Sequence, residues 1–243
     1  MDRCIYGSVH HLYPVQDLQK EGRHTMIEMK NISKRYGELI IYKDMNISFE
    51  AGKITHIKGR NGTGKSVLLK LILGYAKADE GTICADGIMI GRDTDFLPDA
   101  GAVINTPEFI KNLTGRENLQ ELAKIRKRTD ESYVTYLSEL MGMKEALNKK
   151  YGTYSVGMRQ KLRLIQALME KPRYLLLDEP FDGLDAESER NVTELLDEYI
   201  HSDQSRYLIY TNHNPEEKRL SDIIYTLNEE KHVLEKEKSL FPK

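Results

Sequence analysis

The chain has 243 residues, of which 40% are hydrophobic and 30% charged, and this balance is typical of a soluble globular protein with one large domain or two small ones. The formal net charge of -2 lacks the basic excess of nucleic-acid-binding proteins, so we expect no nucleic acid as a partner. No apolar run approaches the roughly 18 residues of a membrane-spanning helix. The two cysteines, Cys4 and Cys84, form neither a metal-ligand pattern nor a disulfide framework.

The first 25 residues are predicted to be an N-terminal extension. They are polar, mix both charges and lack the apolar core of a secretory signal peptide. A strand pattern begins at Met26. Further on, Met45, Ile47 and Phe49 alternate with polar residues, which is the period of a half-buried, antiparallel strand.

A strand, a helix and a hairpin are predicted for residues 53–90. "KITHIKG" (53–59) has the character of a strand that ends at a glycine, and "SVLLKLILGY" (66–75) has the apolar density of a buried helix that ends at Gly74. In residues 79–90, two glycine turns separate short β-branched runs, as in a hairpin or a meander.

The second half of the chain alternates helical and strand patterns. Residues 110–160 are helical in character, and Thr114 with Glu117 three residues later predicts a capping box. Two apolar strands, "RYLLLDE" and "SRYLIYTNH", flank the helical residues 187–200. Such strands indicate a parallel sheet that helices cover on both faces, and ligands bind beyond the carboxyl ends of its strands.

The stretch "GRNGTGKS" (59–66) fits the phosphate-binding pattern G-x-x-x-x-G-K-[ST] between a predicted strand and a predicted helix. Its amides and the helix N-terminus attract a phosphate, Lys65 reaches the β- and γ-phosphates, and Ser66 holds Mg²⁺. The alternative is a glycine-rich turn that binds nothing, but the strand and helix on either side make it the weaker interpretation. The residues of this predicted nucleotide-phosphate site are Gly59, Arg60, Asn61, Gly62, Thr63, Gly64, Lys65, Ser66 and Val67.

The stretch "YLLLDEP" supplies two carboxylates at the end of an apolar strand. Asp178 is placed to bind Mg²⁺ directly or through water, as the corresponding aspartate does in P-loop NTPases. Glu179 is placed to take a proton from an attacking water. An acidic turn on the surface is the alternative, and the phosphate-binding loop upstream makes it remote.

These motifs, in this order, resemble the ATP-binding subunits of ABC transporters over residues 26 to about 235. "GRNGTGKS" and "YLLLDEP" are similar to Walker A and Walker B. "FDGLD" resembles the D-loop that ends at Asp185, and "TNH" ends in what resembles the switch histidine, His213. Tyr36 is similar to the aromatic residue that stacks on adenine.

Two further stretches resemble the family but depart from its pattern. "YSVGM" stands in the place of the signature Leu-Ser-Gly-Gly-Gln: Ser155 and Gly157 match it, whereas Tyr154, Val156 and Met158 differ. This form resembles the ABC-2-type branch, which includes drug and bacteriocin exporters. Asn105 takes the place of the Q-loop glutamine that contacts Mg²⁺, and "INTPEF" with "LTGRENL" resembles peptide-antibiotic exporters.

The resemblance implies an α/β P-loop NTPase fold, with a RecA-like parallel core, an antiparallel β subdomain and an inserted helical subdomain at about residues 108–160. The nucleotide-binding domain is then residues 26–235. Residues 236–243 form a charged tail, and the whole stretch "NEEKHVLEKEKSLFPK" is predicted to be solvated surface.

The function that the resemblance implies is an ATP-hydrolysing subunit that dimerises around two ATP and drives transport, in the export direction, through separate membrane permease subunits. In the dimer, the signature residues Ser155, Val156, Gly157 and Met158 would act on the ATP of the opposite subunit. The chain would then lie on the cytoplasmic face of the membrane, held there by the permease.

Two other function classes fit the sequence less well. A soluble ABC-type ATPase that acts on ribosomes or DNA usually has tandem nucleotide domains or long coiled-coil insertions, and no sustained heptad pattern is present in this sequence. A P-loop kinase or GTPase ranks last. The guanine-reading Asn-Lys-x-Asp motif of GTPases is absent, and a small-molecule kinase does not require the stretches that resemble the signature and the D-loop.

Overall fold

The computed structural model describes residues 26–104, 109–212 and 220–237. The strands in these ranges are β1 (Met26–Tyr36), β2 (Leu39–Glu50), β3 (Ile54–Lys58), β4 (Glu80–Ala85), β5 (Ile88–Ile90), β6 (Ala100–Val103), β7 (Tyr174–Asp178), β8 (Tyr207–Asn212), β9 (Ile223–Asn228) and β10 (Val233–Lys236). The helices are α1 (Lys65–Leu73), α2 (Gly115–Arg126), α3 (Glu131–Leu140), α4 (Val156–Leu168) and α5 (Ala186–His201), with 3₁₀ turns at Ala146–Asn148 and Tyr151–Thr153.

Four strands form an antiparallel sheet in the order β2-β1-β4-β5. The predicted alternation in β2 is confirmed, because Met45, Ile47 and Phe49 are buried while the residues between them are exposed. The predicted hairpin is also confirmed: β4 and β5 pair across a tight turn at Asp86 and Gly87.

The second sheet has the order β10-β9-β3-β8-β7-β6, and its strands are parallel except for β10. Alternate residues of β7 enter two different cores. Leu175 and Leu177 face the core that α2 to α5 build, whereas Tyr174 and Leu176 face the core shared with α1 and the antiparallel sheet. A parallel sheet covered on both faces was predicted, and the predicted fold class is confirmed.

Two predicted helix ends are confirmed, the start of α2 and the end of α1, whereas the helical stretch predicted over residues 110–160 is divided into α2, α3 and the start of α4, which continues to Leu168. In the capping box of α2, the Thr114 hydroxyl accepts from the Glu117 N–H at 3.1 Å, and the Glu117 carboxylate accepts from the Thr114 N–H at 2.7 Å. Gly74 ends α1 in the left-handed conformation that glycine adopts without steric cost.

The expectation that residues 228–243 are solvated surface is wrong for its first part. Val233–Lys236 is strand β10, which pairs with β9 and brings Leu234 to 7% exposure. The strand escaped prediction because it has four residues and lies at a sheet edge, where only Val233 and Leu234 are apolar and the following Glu235 and Lys236 are exposed. The remaining residues from 238 lie outside the described part of the chain, as does the predicted extension over residues 1–25.

A carboxylate of the β4–β5 turn joins the two sheets. The Asp86 carboxylate accepts from the Tyr174 hydroxyl at 2.6 Å and from the Tyr207 hydroxyl at 2.5 Å, and it pairs with Arg173 Nη2 at 2.6 Å. The two tyrosine rings, from β7 and β8, stack with centroids 4.9 Å apart. The Asp86 side chain is only 8% exposed, and Tyr174 and Tyr207 are buried, so water cannot readily replace the carboxylate as acceptor for the two hydroxyls.

Replacing Asp86 by Asn is expected to lower the free energy of unfolding by about 2–3 kcal/mol, because the partly exposed Arg173 loses its counter-charge and one tyrosine hydroxyl loses its acceptor. Urea denaturation followed by circular dichroism measures the change. Glu121→Gln is the matched control: it removes a carboxylate that pairs with Lys124 on the exposed face of α2, and it should cost less than about 0.5 kcal/mol. Equal midpoints for the two variants would contradict this account of Asp86.

Candidate functional site

The predicted phosphate-binding loop runs from the end of β3 to the start of α1. The Lys65 ammonium lies back over this loop and donates to the Gly59 carbonyl at 2.8 Å and the Arg60 carbonyl at 3.0 Å. Gly64 has a φ of +113°, and a Cβ there would lie 2.5 Å from Ile41 Cγ2, so only glycine fits. The buried Tyr42 hydroxyl of β2 donates to the Gly64 carbonyl at 2.9 Å and so holds the loop at its junction with α1.

The outer part of the loop is open to solvent. Arg60, Asn61 and Gly62 are exposed, and the Thr63 hydroxyl donates to the Arg60 carbonyl at 2.8 Å, which keeps the turn closed. Ser66 and Val67 are half-buried in the first turn of α1. An exposed glycine-rich loop at a helix N-terminus, beside a lysine ammonium, has the chemistry to bind a phosphate chain.

Asp178, the last residue of β7, lies at the carboxyl edge of the parallel sheet. Its Oδ1 accepts from the Thr211 hydroxyl of the neighbouring β8 at 2.6 Å. The same hydroxyl oxygen accepts from the Glu179 N–H at 3.1 Å. Thr211 therefore aligns both predicted carboxylate residues. It was not among the predicted site residues, although its place two residues before His213 could have indicated it.

Glu179 has a left-handed backbone with a φ of +50°, which costs a non-glycine residue about 1–2 kcal/mol. Its carboxylate oxygen Oε1 lies 3.9 Å from Lys65 Nζ. Burial raises the pKa of Glu179, and a hydrogen bond with Asp182 raises this pKa further, while Lys65 opposes the shift. A raised pKa makes a carboxylate a better proton acceptor for a reacting water.

A cavity of about 440 Å³ lies in front of these carboxylates. Three segments line the cavity. They are α4 with Val156, Gln160 and Arg163, the end of β7 with Asp178 and Glu179, and the D-loop with Asp182 and Gly183. The sequence reasoning missed Gln160, Arg163 and Asp182. Gln160 could have been found, because it lies four residues after Val156 and so on the same face of a helix.

The signature segment forms the N-terminus of α4. Ser155 is the N-cap residue, and its hydroxyl oxygen accepts from the Met158 N–H at 3.2 Å. Val156 is 72% exposed. Tyr154, which replaces the family's leucine, is buried, and its hydroxyl donates to the Ala146 carbonyl at 2.6 Å. The tyrosine thus anchors the segment from inside and leaves the helix terminus facing outward.

The D-loop packs directly on this terminus. A Cβ at Gly157 would lie 2.7 Å from the Gly183 carbonyl oxygen, so the contact requires a glycine in α4. Asp185 is the N-cap of α5, where its carboxylate accepts from the Ser188 N–H and hydroxyl, both at 2.9 Å. These bonds lower the pKa of Asp185 and keep it ionised.

Tyr36 lies at the end of β1 with 51% of its surface exposed, and the Lys34 ammonium is 5.0 Å from its ring centroid. Its hairpin partner Leu39 lines a cavity of about 350 Å³ that reaches the loop residues 60–63. Leu39 and Ile40 are also exposed, at 60% and 42%. An apolar surface formed by Leu39 and Ile40 therefore borders the phosphate-binding loop on this side, and Tyr36 lies next to it in the same hairpin, outside the residues that line the cavity.

Two predicted site residues, Asn105 and His213, lie outside the described residues. The described strands that precede them in the sequence, β6 and β8, end at Val103 and Asn212. None of the helices in the described ranges has the length and apolar character that crossing a lipid bilayer requires.

A family model described as ABC transporter matches residues 42–182. A bacitracin transport ATP-binding protein of Enterococcus faecalis is 34% identical over 205 residues, which cover 84% of this chain and 67% of that protein. A lantibiotic transport ATP-binding protein of Streptococcus pyogenes is 29% identical over 212 residues, which cover 87% of this chain and 91% of that protein. The chain spans only 61% and 57% of the length of two further relatives.

The fold also matches solved structures. A dimeric ATP-binding cassette in a post-hydrolysis state, bound to ADP and Pi, superposes with a TM-score of 0.76 at 23% sequence identity. The match covers 89% of this chain and 100% of that one. At this identity the likeness establishes the shared fold.

Proposed function

The chain belongs to the ABC transporter family, and we propose that it is the ATP-hydrolysing subunit of a transporter whose membrane permease is a separate protein. The family and its bacitracin-like branch are those that the sequence motifs predicted. The observation that carries the proposal is the joint placement of Lys65, Asp178 and Glu179 at one edge of the parallel sheet, with the ammonium 3.9 Å from the Glu179 carboxylate.

ATP lies along the loop from residue 59 to residue 67 in this proposal. Lys65 leaves the Gly59 and Arg60 carbonyls and pairs with the β- and γ-phosphates, while the exposed Tyr36 ring stacks on adenine. Ser66 and Asp178 are the residues that would hold Mg²⁺, since both present oxygen ligands beside the phosphate loop. Asn105, with one methylene fewer than glutamine, would contact the ion directly or through water.

Hydrolysis depends on Glu179, which takes a proton from the water that attacks the γ-phosphate. Thr211 supports its orientation through the Glu179 N–H. His213 is assigned to the γ-phosphate, where a donor stabilises the charge of the transition state. Lys65 contributes a positive charge to the same oxygens.

A second nucleotide-binding subunit completes each site. The N-terminus of α4, with Ser155, Val156, Gly157 and Met158, faces outward and would grip the γ-phosphate of ATP bound to the partner subunit. Asp185 and the rest of the D-loop would follow α4 into the interface, since Gly157 and Gly183 are in contact. Closure excludes water from both sites, and hydrolysis reopens them.

The substrate class follows from relatives rather than from the site. Relatives of this chain are named for bacitracin and lantibiotic transport, so we propose export of a peptide antibiotic or a similar amphipathic compound. The permease would hold the chain at the inner face of the cell membrane. A soluble ABC-type ATPase that acts on ribosomes or DNA is the alternative, and the relatives named for transport disfavour it.

Purification of the tagged protein from detergent-solubilised membranes of its own host tests the transport assignment. We expect a multi-spanning membrane protein to co-purify in a fixed ratio with the chain, and mass spectrometry identifies it. Recovery in the soluble fraction with ribosomes or DNA would instead support the alternative function.

A further inference from the structure

The backbone of Glu179 is held by side chains of two different elements. Its N–H donates to the Thr211 hydroxyl at 3.1 Å, and its carbonyl accepts from Gln160 Nε2 at 3.2 Å. The left-handed φ of +50° is uncommon for a residue other than glycine. Such a conformation persists where surrounding contacts over-determine it, and these two bonds fix the peptide groups on both sides.

The amide of Gln160 has a defined orientation. Its Nε2 also donates to the Pro180 carbonyl at 3.0 Å, while its Oε1 accepts from Arg163 Nη1 at 3.2 Å. Because a guanidinium can only donate, the oxygen must face Arg163 and the nitrogen must face the two carbonyls. Gln160 is 5% exposed and Arg163 is 7% exposed, so water competes little for these bonds.

Gln160 belongs to the same helix as the signature segment. Ser155 caps α4, and Gln160 follows five residues later on the side that meets residues 179–183. The close approach of Gly157 to the Gly183 carbonyl is a second, independent contact between the same two segments. A displacement of α4 therefore moves the Glu179 backbone with it.

We infer that Gln160 is a positioning residue that ties the Glu179 carboxylate to the signature helix of its own chain. The inference rests on the proposed function, in which that helix grips the ATP of the partner subunit. Engagement of one ATP by α4 then sets the position of the base that acts on the other ATP. In this arrangement Gln160 acts on the reaction through Glu179.

Gln160→Met removes both donated bonds while keeping side-chain length and helix propensity. We expect kcat for ATP hydrolysis to fall by about 10- to 100-fold, because a misplaced catalytic group loses rate steeply, with KM for ATP unchanged. Gln160→Glu keeps the shape but presents a carboxylate to the two carbonyls, and it should lose at least as much. Gln166→Met, the same change at a half-buried site on α4, is the control and should retain wild-type turnover.

A double-mutant cycle separates positioning from loss of structure. In a Glu179→Gln background, adding Gln160→Met should not lower the residual turnover further. The Glu179 carboxylate, through which Gln160 acts, is already absent in that background. A further fall by the same factor would overturn the inference, as would wild-type kcat in both folded Gln160 variants. If the unmodified protein does not hydrolyse ATP at all, the proposed function itself is wrong. If it hydrolyses ATP and the Gln160 variants do so at the same rate, only the role of Gln160 is wrong, so the two outcomes are distinguishable.

Discussion

Glu179→Gln is expected to lower the rate of ATP hydrolysis by about 10²- to 10⁴-fold while ATP binding is retained. The substitution removes the group that accepts the proton of the attacking water, and it leaves Lys65 and the phosphate-binding loop intact. A phosphate-release assay measures turnover, and equilibrium binding of a fluorescent ATP analogue measures affinity.

The matched control is Glu139→Gln, which removes a carboxylate from the exposed surface of α3, where it pairs with Lys144. This control should hydrolyse ATP at the wild-type rate. Turnover of Glu179→Gln at that same rate would refute the assignment of Glu179 as the base.

Ser155→Arg is expected to reduce ATP hydrolysis by at least about 10²-fold, the loss typical of removing a transition-state donor, without weakening ATP binding to the monomer. Ser155 lies at the exposed N-terminus of α4, so an arginine there fills the space that the partner's γ-phosphate would occupy. Loss of the N-cap bond to the Met158 N–H adds a cost of about 1 kcal/mol in stability.

Ser205→Arg serves as the control, because Ser205 is an exposed serine whose hydroxyl donates to Asp203 in the turn before β8. It adds the same side chain at the opposite end of the parallel strands and should hydrolyse ATP normally. If Ser155→Arg instead lowers the ATP affinity of the monomer, the signature segment acts on its own chain's nucleotide.

Features encoded by neighbouring residues could be predicted from the sequence. The phosphate-binding loop, the capping box of α2 and the β4–β5 hairpin each depend on a few consecutive residues whose backbone preferences agree with the fold. The carboxylates at the end of β7 were also predictable, because a run of apolar residues followed by Asp and Glu marks a strand end.

Contacts between distant residues could not be predicted in the same way. Gln160 and Glu179 are 19 positions apart, and Asp86 binds hydroxyls 88 and 121 positions away. No local pattern specifies such pairs, since they depend on how sheets and helices pack. Strands β9 and β10 were also missed. β10 is a short edge strand whose apolar residues are Val233 and Leu234, and pairing with β9 stabilises it. β9 lies between β10 and β3, and its β-branched pair Ile223 and Ile224 was the available signal.

The central claim is that ATP joins two copies of this subunit, or this subunit and a similar one, around two shared sites. Light scattering of Glu179→Gln with and without MgATP tests it most directly, because this variant binds ATP and cannot use it. We expect the monomer mass without nucleotide and twice that mass with MgATP, and the increase should disappear when Ser155→Arg is added. A mass that stays monomeric at saturating MgATP, both alone and with the co-purified permease and any second ATP-binding subunit, would contradict the account.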